Sequence, residues 1–552
     1  MQTEIIVIGS GVAATALITK ILESRPDTTI TVLEAGGKIK MRDFALYQNY
    51  LISNKLPFDH QNIYDSCYDL AYQDRDKPGE NAFSGDTEIP MNGSRAFLYG
   101  GSTVHWGGWA FRLKEEDFKL RSNLKAKGKA TGDVIDWPIS YADLEPFYQE
   151  AEDFIGVSGD SEDQTTARLG KYPFPAFPFT LEDGLFIDAF NKLPQPISYA
   201  HLPIARYGDT HSNNSHGPCH TTGLCKYCPF GARFVAANNL DDLVSSAKYP
   251  NLKIITNAIV EEILMDTKDH ATGVRYFDKK KNIWVNIQGK RIIAAAGAIE
   301  TPKLLLRSAK NLWENGIGND RDLVGRFLIS HPYFFYKAVL PKNPQMLQPE
   351  MGFPTLVSRH FDSLEEQHKG KFIMINPPSS PKLNLARSMG SGKSREEIIK
   401  SIQNNATVQL QGIVEVFSEA RNRVTNTKKT NRFGLWETKI EFWKSPGFED
   451  RMKEIEGTVK KIFEQMGAVD VGIETAISWR ADHAACTTRM SSDPEVGVVD
   501  QNLKIHGTSN IYVCSNSSFS SLGAVNPTLT LTALSLRLAG HLLTELKTEA
   551  NL

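Results

Sequence analysis

Three cysteines lie close together in the middle of the chain. Cys219, Cys225 and Cys228 fall within ten residues, and a proline follows the last of them. Thiolates at short spacing closed by Cys-Pro are typical of iron–sulfur ligation, in which a tight loop wraps a cluster. Zinc is the main alternative, because the three thiolates with His216 or His220 would make a tetrahedral site, and a cluster of free thiols is the third. The spacing predicts a metal centre and leaves the metal open.

The N-terminal segment carries a nucleotide-binding pattern. Gly9 and Gly11 follow a β-rich run, and Ala14 stands where a small side chain lets the next helix pack closely on that strand. The glycines let backbone N–H groups approach a pyrophosphate at the helix N-terminus. Glu34 ends the second β run, where a carboxylate accepts ribose hydroxyls. Strand, turn, helix and acid together predict a dinucleotide site, for either FAD or NAD.

Two further segments suit contact with a planar ring. Paired glycines flank a polar and aromatic centre in residues 99–109, so that the backbone could press flat against a large ring system. An ordinary surface loop is the alternative there. Residues 294–302 form a small-residue strand-to-helix turn, in which Pro302 is expected in the first helical turn. Close packing explains this turn nearly as well as a cofactor contact does.

The elements that must position these residues follow from hydrophobic periodicity. Residues 4–36 are predicted to form strand, turn, helix and strand, and residues 252–300 are predicted to be rich in strands. A helix is expected over 140–155, with Ser140 as its cap and Asp143 three residues later. The last helix is expected over 527–547. A chain of 552 residues exceeds the size of one core, so at least two domains are expected.

The C-terminal segment completes a set of four motifs. It holds His483 in the run HAACTTRM, the run NIYVCSNS from 510 to 517, and Asn526 in NPTLTLTAL. Together with the three glycine-rich motifs, in this order, these residues resemble the glucose-methanol-choline (GMC) oxidoreductase family. The resemblance covers the chain except residues 51–90 and the interior of 330–470. It departs from the family at Ser515, where members usually carry Asp.

This resemblance implies FAD and an α/β fold, in which a Rossmann-like FAD-binding domain of GMC type adjoins a second, antiparallel-sheet substrate-binding domain. The FAD-binding domain is expected at 1–50, 91–135, 200–325 and 479–552, with an iron–sulfur loop at 216–232. The substrate-binding domain and lid elements are expected at 51–90, 136–199 and 326–478. The positions implied for cofactor contact are Gly9, Gly11, Ala14, Glu34, Gly101, Ser102, His105, Trp106, Val260, Asn516, Pro527 and Thr528.

By the same resemblance, His483 and Asn526 match the family's active-site pair. Oxidation of an alcohol removes a hydroxyl proton and a carbinol hydride, which a neutral imidazole and flavin N5 can accept. Asn526 offers both a donor and an acceptor to hold the hydroxyl. The alternative for His483 is a buried histidine with a purely structural role.

The segment around His105-Trp106 is similar to pyranose oxidases and to bacterial sugar dehydrogenases of the family, some of which attach FAD covalently through the matching histidine. These dehydrogenases also carry a three-cysteine iron–sulfur site in the matching segment, which favours a three-iron or four-iron cluster on Cys219, Cys225 and Cys228. The implied reaction is oxidation of a sugar ring hydroxyl, at C3 of a glucoside as in glucoside 3-dehydrogenase, with electrons relayed to an external acceptor. An oxidase like pyranose 2-oxidase that uses O₂, and a flavin-bearing binding subunit without activity, are the alternatives.

Composition limits the partners. Lys and Arg total 62 against 64 Asp and Glu, a net charge of −2 that excludes a polybasic nucleic-acid binder. No apolar stretch reaches the roughly 18 residues that span a membrane. The N-terminus shows no signal peptide, so the sequence predicts a cytoplasmic chain. The resemblance implies a sugar or glycoside substrate, a small subunit whose export signal could carry the chain to the periplasm, and a cytochrome c-type electron acceptor.

Overall fold

A computed structural model describes residues 3–53, 82–89, 95–208, 217–220, 227–341, 351–377, 388–472 and 477–550. The strands are β1 Thr3–Ile8, β2 Ile30–Glu34, β3 Phe83–Gly85, β4 Val157–Gly159, β5 Phe174–Pro175, β6 Ala200–His201, β7 Ile204–Ala205, β8 Leu252–Thr256, β9 Ala258–Met265, β10 Ala271–Asp278, β11 Ile283–Ala294, β12 Pro332–Pro341, β13 Leu356–Ser358, β14 Phe372–Ile375, β15 Asn405–Val414, β16 Arg423–Thr430, β17 Trp436–Phe442, β18 Asp470–Gly472, β19 Ser478–Trp479 and β20 Ile511–Val513. The helices are α1 Val12–Ser24, α2 Phe44–Ser53, α3 Leu120–Ala126, α4 Tyr141–Ile155, α5 Leu181–Lys192, α6 Ala236–Ser245, α7 Gly297–Arg307, α8 Arg395–Asn404, α9 Phe448–Gln465 and α10 Thr528–Ala550.

A parallel sheet forms the centre of the nucleotide-binding part, in the order β8–β2–β1–β11–β20. Its strands read as continuous apolar runs because both faces are covered, and Ile5, Ile6 and Val7 have no exposed surface. Helix α1 follows β1 directly and packs against α10. The first half of β11 leaves this sheet and pairs antiparallel with β10, which pairs with β9. Strand β1, the turn, α1 and β2 therefore confirm the pattern predicted for residues 4–36.

A second sheet, antiparallel throughout, has the order β18–β12–β15–β14–β13–β6, and β19 also pairs with β12. Inward-facing side chains of β12 and β15, such as Phe334, Val408 and Leu410, are buried. The expectation of a second, antiparallel-sheet domain is confirmed. Strand β6 at Ala200–His201 pairs with this sheet, although residue 200 begins the predicted nucleotide-binding range. The other predicted domain boundaries stay predictions.

The predicted helix caps are largely correct. Ser140 accepts a hydrogen bond from the backbone N–H of Asp143, and the Asp143 carboxylate bonds back to Ser140 N–H at 2.8 Å. The expectation for Pro302 was wrong: the helix begins at Gly297, so the proline lies in its middle instead of its first turn. A positive φ of 76° at Gly297 starts this helix earlier than the proline suggested. Among the described helices, none is long and apolar enough to cross a membrane.

Candidate active site

A cavity of about 450 Å³ lies where the parallel sheet meets the second sheet. The carboxyl ends of β1, β2 and β20 open onto it, and so do the N-terminal ends of α1 and α7. Ligands of open parallel sheets bind in the crevice at this edge, because loops between strand and helix leave space there. Strands β12 and β15 contribute Tyr333, Phe335 and Gln411 to the opposite wall.

The turn between β1 and α1 contains two glycines that have different roles. Gly9 has φ +104°, and a Cβ there would lie 2.6 Å from the carbonyl oxygen of Ala295. Gly11 has an ordinary φ of −71°, caps α1 without a side-chain bond, and would place a Cβ at least 4 Å from any neighbouring atom. Because Gly11 lines the cavity, the space beside it is open to a ligand. The turn thus presents unbonded helix N–H groups to an anion.

Glu34 ends β2 at the cavity wall, and its side chain is buried. One carboxylate oxygen accepts hydrogen bonds from Ser10 N–H at 3.0 Å and the Ser10 hydroxyl at 2.6 Å. The other accepts from Gly36 N–H at 2.8 Å. Burial raises the carboxyl pKa, and these donors oppose the rise. The second oxygen keeps a lone pair that could accept a hydrogen bond from a ribose hydroxyl, which stays the role predicted for Glu34.

The glycine-rich segment forms a short 3₁₀ turn at Gly101–Val104 against the first turn of α1. A Cβ on Gly101 would come within 3.0 Å of Gly11 Cα, so only glycine fits this approach. Trp106 donates from Nε1 to Phe234 O at 2.8 Å, and the buried Arg233 donates to Val104 O at 2.8 Å. The segment is therefore held from both sides beside the cavity.

The structure brings most predicted cofactor residues to one surface. Those that line the cavity are Gly9, Gly11, Glu34, Gly101, Ser102, His105, Trp106, Val260, Asn516 and Thr528. Ala14 is fully buried between α1 and the sheet, which is the packing role predicted for it. Pro527 lies beside the cavity residues but does not line it. Ser515 lines the cavity at the position where Asp was expected, and its hydroxyl caps the turn that follows.

His483 and Asn526 meet on the cavity wall. Asn526 Nδ2 lies 3.1 Å from His483 Nε2, and the Tyr333 hydroxyl lies 2.9 Å from the same nitrogen. On its other side, His483 Nδ1 lies 3.0 Å from Nδ1 of His331, whose Nε2 lies 2.8 Å from the carbonyl oxygen of Gly523. His483 comes from the turn Ala481–His483, and Asn526 precedes α10. The pair expected from the sequence is in hydrogen-bond contact.

Burial controls the protonation of this cluster. It lowers the pKa of His483 to about 3, with a further contribution from the Arg480 charge. It also lowers the pKa of His331 to about 3, and the neighbouring His483 adds to the effect. Burial raises the pKa of the Tyr333 phenol well above its ordinary value, so the hydroxyl stays a donor. Both imidazoles are therefore neutral at physiological pH, as a proton acceptor must be.

Two buried amide oxygens face the cavity with no hydrogen-bond partner among the described residues, Asn516 Oδ1 and Asn526 Oδ1. Buried polar atoms normally have partners, so these oxygens are available to a bound ligand. With the open N-terminus of α1 and the Glu34 carboxylate, they form a surface that fits a flavin dinucleotide at both its phosphates and its ring.

Models of the GMC oxidoreductase family match residues 199–333 and 418–535, which include both members of the histidine–asparagine pair. The chain belongs to the GMC oxidoreductase family. FAD is therefore the nucleotide for which the cavity is built. Solved structures share the fold: a formate oxidase variant of Aspergillus oryzae RIB40 superposes with TM-score 0.65 at 15% identity over 99% of each chain. Pyridoxine 4-oxidase from Mesorbium loti gives TM-score 0.61 at 16% identity over 98% of this chain and 99% of that one.

Curated relatives of this GMC oxidoreductase include dehydrogenases and oxidases. The fructose dehydrogenase large subunit of Gluconobacter japonicus is 27% identical over 99% of each chain. The 6'''-hydroxyparomomycin C oxidase of Streptomyces lividus is 25% identical over 80% of this chain and 79% of the relative. The gluconate 2-dehydrogenase flavoprotein of Pantoea cypripedii is 27% identical over 47% of this chain and 46% of its own.

Two of the three clustered cysteines of this GMC oxidoreductase, Cys219 and Cys228, lie among the described residues. Arg206 donates from Nη1 to Cys219 Sγ at 3.6 Å, and the backbone N–H of Cys219 bonds to Tyr207. Cys228 precedes the Arg233 segment that holds the turn beside the cavity. Cys225 and His216 lie outside the described residues. Within the described part of the chain, no group of three or more potential ligands has the geometry of a metal site.

Sequence reasoning missed several residues of the site. His331 and Tyr333 come from the start of β12, and Arg480 and Asp482 precede His483. No spacing rule joins β12 to the C-terminal motif, because the two are brought together only by the sheet. A histidine and a tyrosine two residues apart at a strand start were the available signal, since such side chains share one face.

Proposed function

We propose that this GMC oxidoreductase is an FAD-dependent dehydrogenase of sugars or glycosides that oxidises a ring hydroxyl, with C3 of a glucoside as the preferred position. The observation that carries the proposal is the neutral His483, whose Nε2 faces the cavity beside Asn526. Such a pair can accept the proton of a substrate hydroxyl and donate a hydrogen bond to the oxygen atom that has lost it. The relatives named for fructose and gluconate support a carbohydrate as the substrate class.

FAD bound in the cavity supplies the hydride acceptor. His483 Nε2 accepts the hydroxyl proton, and Asn526 Nδ2–H donates to the substrate oxygen as negative charge grows on it. The buried Tyr333 hydroxyl lies 2.9 Å from Nε2 and 3.1 Å from Nδ1 of His483, so it is a further donor beside the proton acceptor. His483 and Tyr333 are buried and Asn526 is half-buried, so the wall around the pair shields the proton transfer from water.

The cavity wall around the pair suits a sugar. Tyr333 and Phe335 present rings 6.4 Å apart and within 12° of parallel, which offer apolar surface to the C–H face of a pyranose. Gln411 and Asp482 add polar groups. Asp482 Oδ1 is buried and accepts no hydrogen bond from any described residue, so it is available to a sugar hydroxyl. A small alcohol would leave these groups unpaired.

Product analysis tests the proposal. The FAD-loaded protein is incubated with methyl α-D-glucopyranoside or D-fructose and dichlorophenolindophenol, and the products are identified by NMR. We expect a 3-keto glycoside from the glucoside. If the product is a keto sugar oxidised at another carbon, the result supports a sugar dehydrogenase but rejects oxidation at C3. Dye reduction by simple alcohols and by neither sugar rejects the carbohydrate class.

We also propose that Cys219, Cys225 and Cys228 bind a three-iron or four-iron cluster that relays electrons from the flavin to an external acceptor. The support is positional: Cys228 leads into the Arg233 segment, which bonds to the turn that lines the cavity. Cys219 and Cys228 are half-buried thiols, and thiolates that solvent reaches are prone to oxidation when no metal holds them. A reduced flavin must pass on two electrons, and a cluster accepts them one at a time.

Metal content and turnover test the relay. Iron and sulfide analysis with EPR should detect a cluster in the wild type, and Cys225→Ser should leave flavin reduction by sugar intact while it slows electron delivery to cytochrome c. Cys67→Ser is the matched control, because that cysteine lies far from the cluster in sequence. Zinc without iron, or normal cytochrome reduction by the Cys225→Ser protein, would reject the relay.

An oxidase is the second candidate function. It is favoured by the similarity to an enzyme named as an oxidase, 6'''-hydroxyparomomycin C oxidase. An oxidase needs only access of O₂ to the reduced flavin. Peroxide formed in step with sugar consumption, at a rate that matches dye reduction, would establish it.

Three associated features belong to the dehydrogenase proposal. His105 forms a covalent bond to the flavin, which acid precipitation tests: flavin left in the supernatant means no bond.

A small subunit with an export signal would take the chain to the periplasm, and the names of relatives as a large subunit and a flavoprotein support a multi-subunit enzyme. A c-type cytochrome receives the electrons. Co-purification from the native cell tests both partners.

A further inference from the structure

A directed chain of hydrogen bonds passes through the two histidines of the site. It runs from Gly523 O to His331, from His331 to His483, and from His483 to Asn526, with separations of 2.8, 3.0 and 3.1 Å. His331 has no exposed surface. His331 is not among the residues that line the cavity, and it contacts His483 through Nδ1, whereas Asn526 contacts Nε2.

The carbonyl end fixes the direction of this chain. A carbonyl oxygen only accepts, so His331 Nε2 must carry the proton that it donates to Gly523. A buried neutral imidazole has one N–H, which leaves His331 Nδ1 as an acceptor. The 3.0 Å contact between the two Nδ1 atoms is therefore a hydrogen bond only if His483 Nδ1 is the donor. His483 Nε2 is then unprotonated.

The orientation of the Asn526 amide agrees with this direction. Asn526 turns Nδ2, which only donates, towards His483 Nε2. The opposite arrangement, with the proton on His483 Nε2, would set two lone pairs against each other between the histidines. It would otherwise require a charged His331, which burial strongly disfavours.

We infer that His331 is a positioning residue that holds His483 in the tautomer whose Nε2 can accept the substrate proton. The inference deepens the proposed function and rests on it. When His483 accepts the proton, its Nδ1–H still donates to His331 Nδ1. This hydrogen bond therefore stabilises the positive charge that forms on His483. The tautomer of an imidazole is set by the hydrogen bond of its other nitrogen, and here that partner is a second histidine instead of a carboxylate.

Two isosteric variants separate this role from packing. In His331→Asn, the side-chain oxygen replaces Nδ1 as an acceptor; in His331→Leu, a methyl group of similar shape replaces it. Both variants lose the bond to Gly523, so that loss cancels in their comparison. Flavin reduction by methyl α-D-glucopyranoside or D-fructose should be about 10- to 100-fold slower in the Leu variant than in the Asn variant, the value of one hydrogen bond to a charged group. Equal rates in the two variants, with equal flavin content, would overturn the inference.

A second measurement needs neither a variant of His331 nor a known substrate. ¹⁵N NMR of histidine-labelled wild-type holoenzyme reports which ring nitrogen of His483 carries the proton, and the signal is assigned by its absence from His483→Ala. We expect protonated Nδ1 and unprotonated Nε2. Protonated Nε2 would overturn the inference. If no sugar reduces the flavin but Nδ1 is protonated, the proposed substrate class fails while the tautomer assignment stands.

Discussion

Replacing Gly11 by alanine should impair flavin binding without affecting folding. Gly11 has a φ of −71° that alanine adopts freely, and its added Cβ meets no atom within 4 Å. Alanine is a poorer helix cap than glycine, but it also reduces the entropy of the unfolded chain, so the net change in stability should stay within about 0.5 kcal/mol. The methyl group instead enters the cavity, where overpacking costs about 1–3 kcal/mol, or about 10- to 100-fold in the Kd of FAD.

Gly9 is the matched control. Its φ of +104° is strained for any residue with a Cβ, which costs about 1–3 kcal/mol, and the Cβ would also lie 2.6 Å from Ala295 O. Gly9→Ala should therefore destabilise the apoprotein itself. The assay is FAD titration of each apoprotein by flavin fluorescence, together with thermal melting without FAD. Wild-type FAD affinity in Gly11→Ala, or wild-type stability in Gly9→Ala, would refute this account of the turn.

Three further outcomes follow from the buried groups. His483→Ala should slow flavin reduction by sugar about 10²–10⁴-fold with flavin content unchanged, whereas His506→Ala, outside the cavity, should react normally in the same stopped-flow assay. Because the pKa of His483 is lowered to about 3 and the base acts when deprotonated, the reduction rate should show no acid limb between about pH 5 and 8; an acid limb near the ordinary histidine pKa would contradict the effect of burial. Lys371→Met should destabilise the protein by about 3–5 kcal/mol in thermal or denaturant unfolding. The buried Lys371 pairs with Asp117 and with Asp362 at 2.9 Å, and its loss leaves the buried Asp117 carboxylate without this cation, whereas Asp362 keeps its ion pair with Arg359; unchanged stability would show that the Asp117 carboxylate finds another partner.

The nucleotide-binding half of the site could be predicted because its determinants are local. Gly9, Gly11 and Glu34 act within one strand–helix–strand unit, and the main chain between them fixes their relative positions. A glycine where φ must be positive and an acidic residue at the end of a strand can both be recognised from the residue types in the sequence. The family motifs then identified His483 and Asn526, which lie 43 positions apart and meet at 3.1 Å.

The other half depends on long-range packing. His331 and His483 are 152 positions apart, and their contact exists only because β19 pairs with the start of β12. Periodicity predicts strands but gives no register between them, so the histidine pair could not be found from spacing. Pro302 shows a further limit: a left-handed Gly297 starts the helix, and the helix accommodates the proline in its interior.

The most direct test of the central claim is anaerobic titration of the FAD-loaded protein with sugars, followed by the visible absorbance of the flavin. We predict that methyl α-D-glucopyranoside or D-fructose bleaches the flavin completely in the wild type, and that His483→Ala retains its oxidised spectrum over the same time. A flavin that stays oxidised with every sugar but is bleached by simple alcohols would contradict the assignment as a sugar dehydrogenase. Equal bleaching of wild type and His483→Ala would contradict the role of the histidine–asparagine pair.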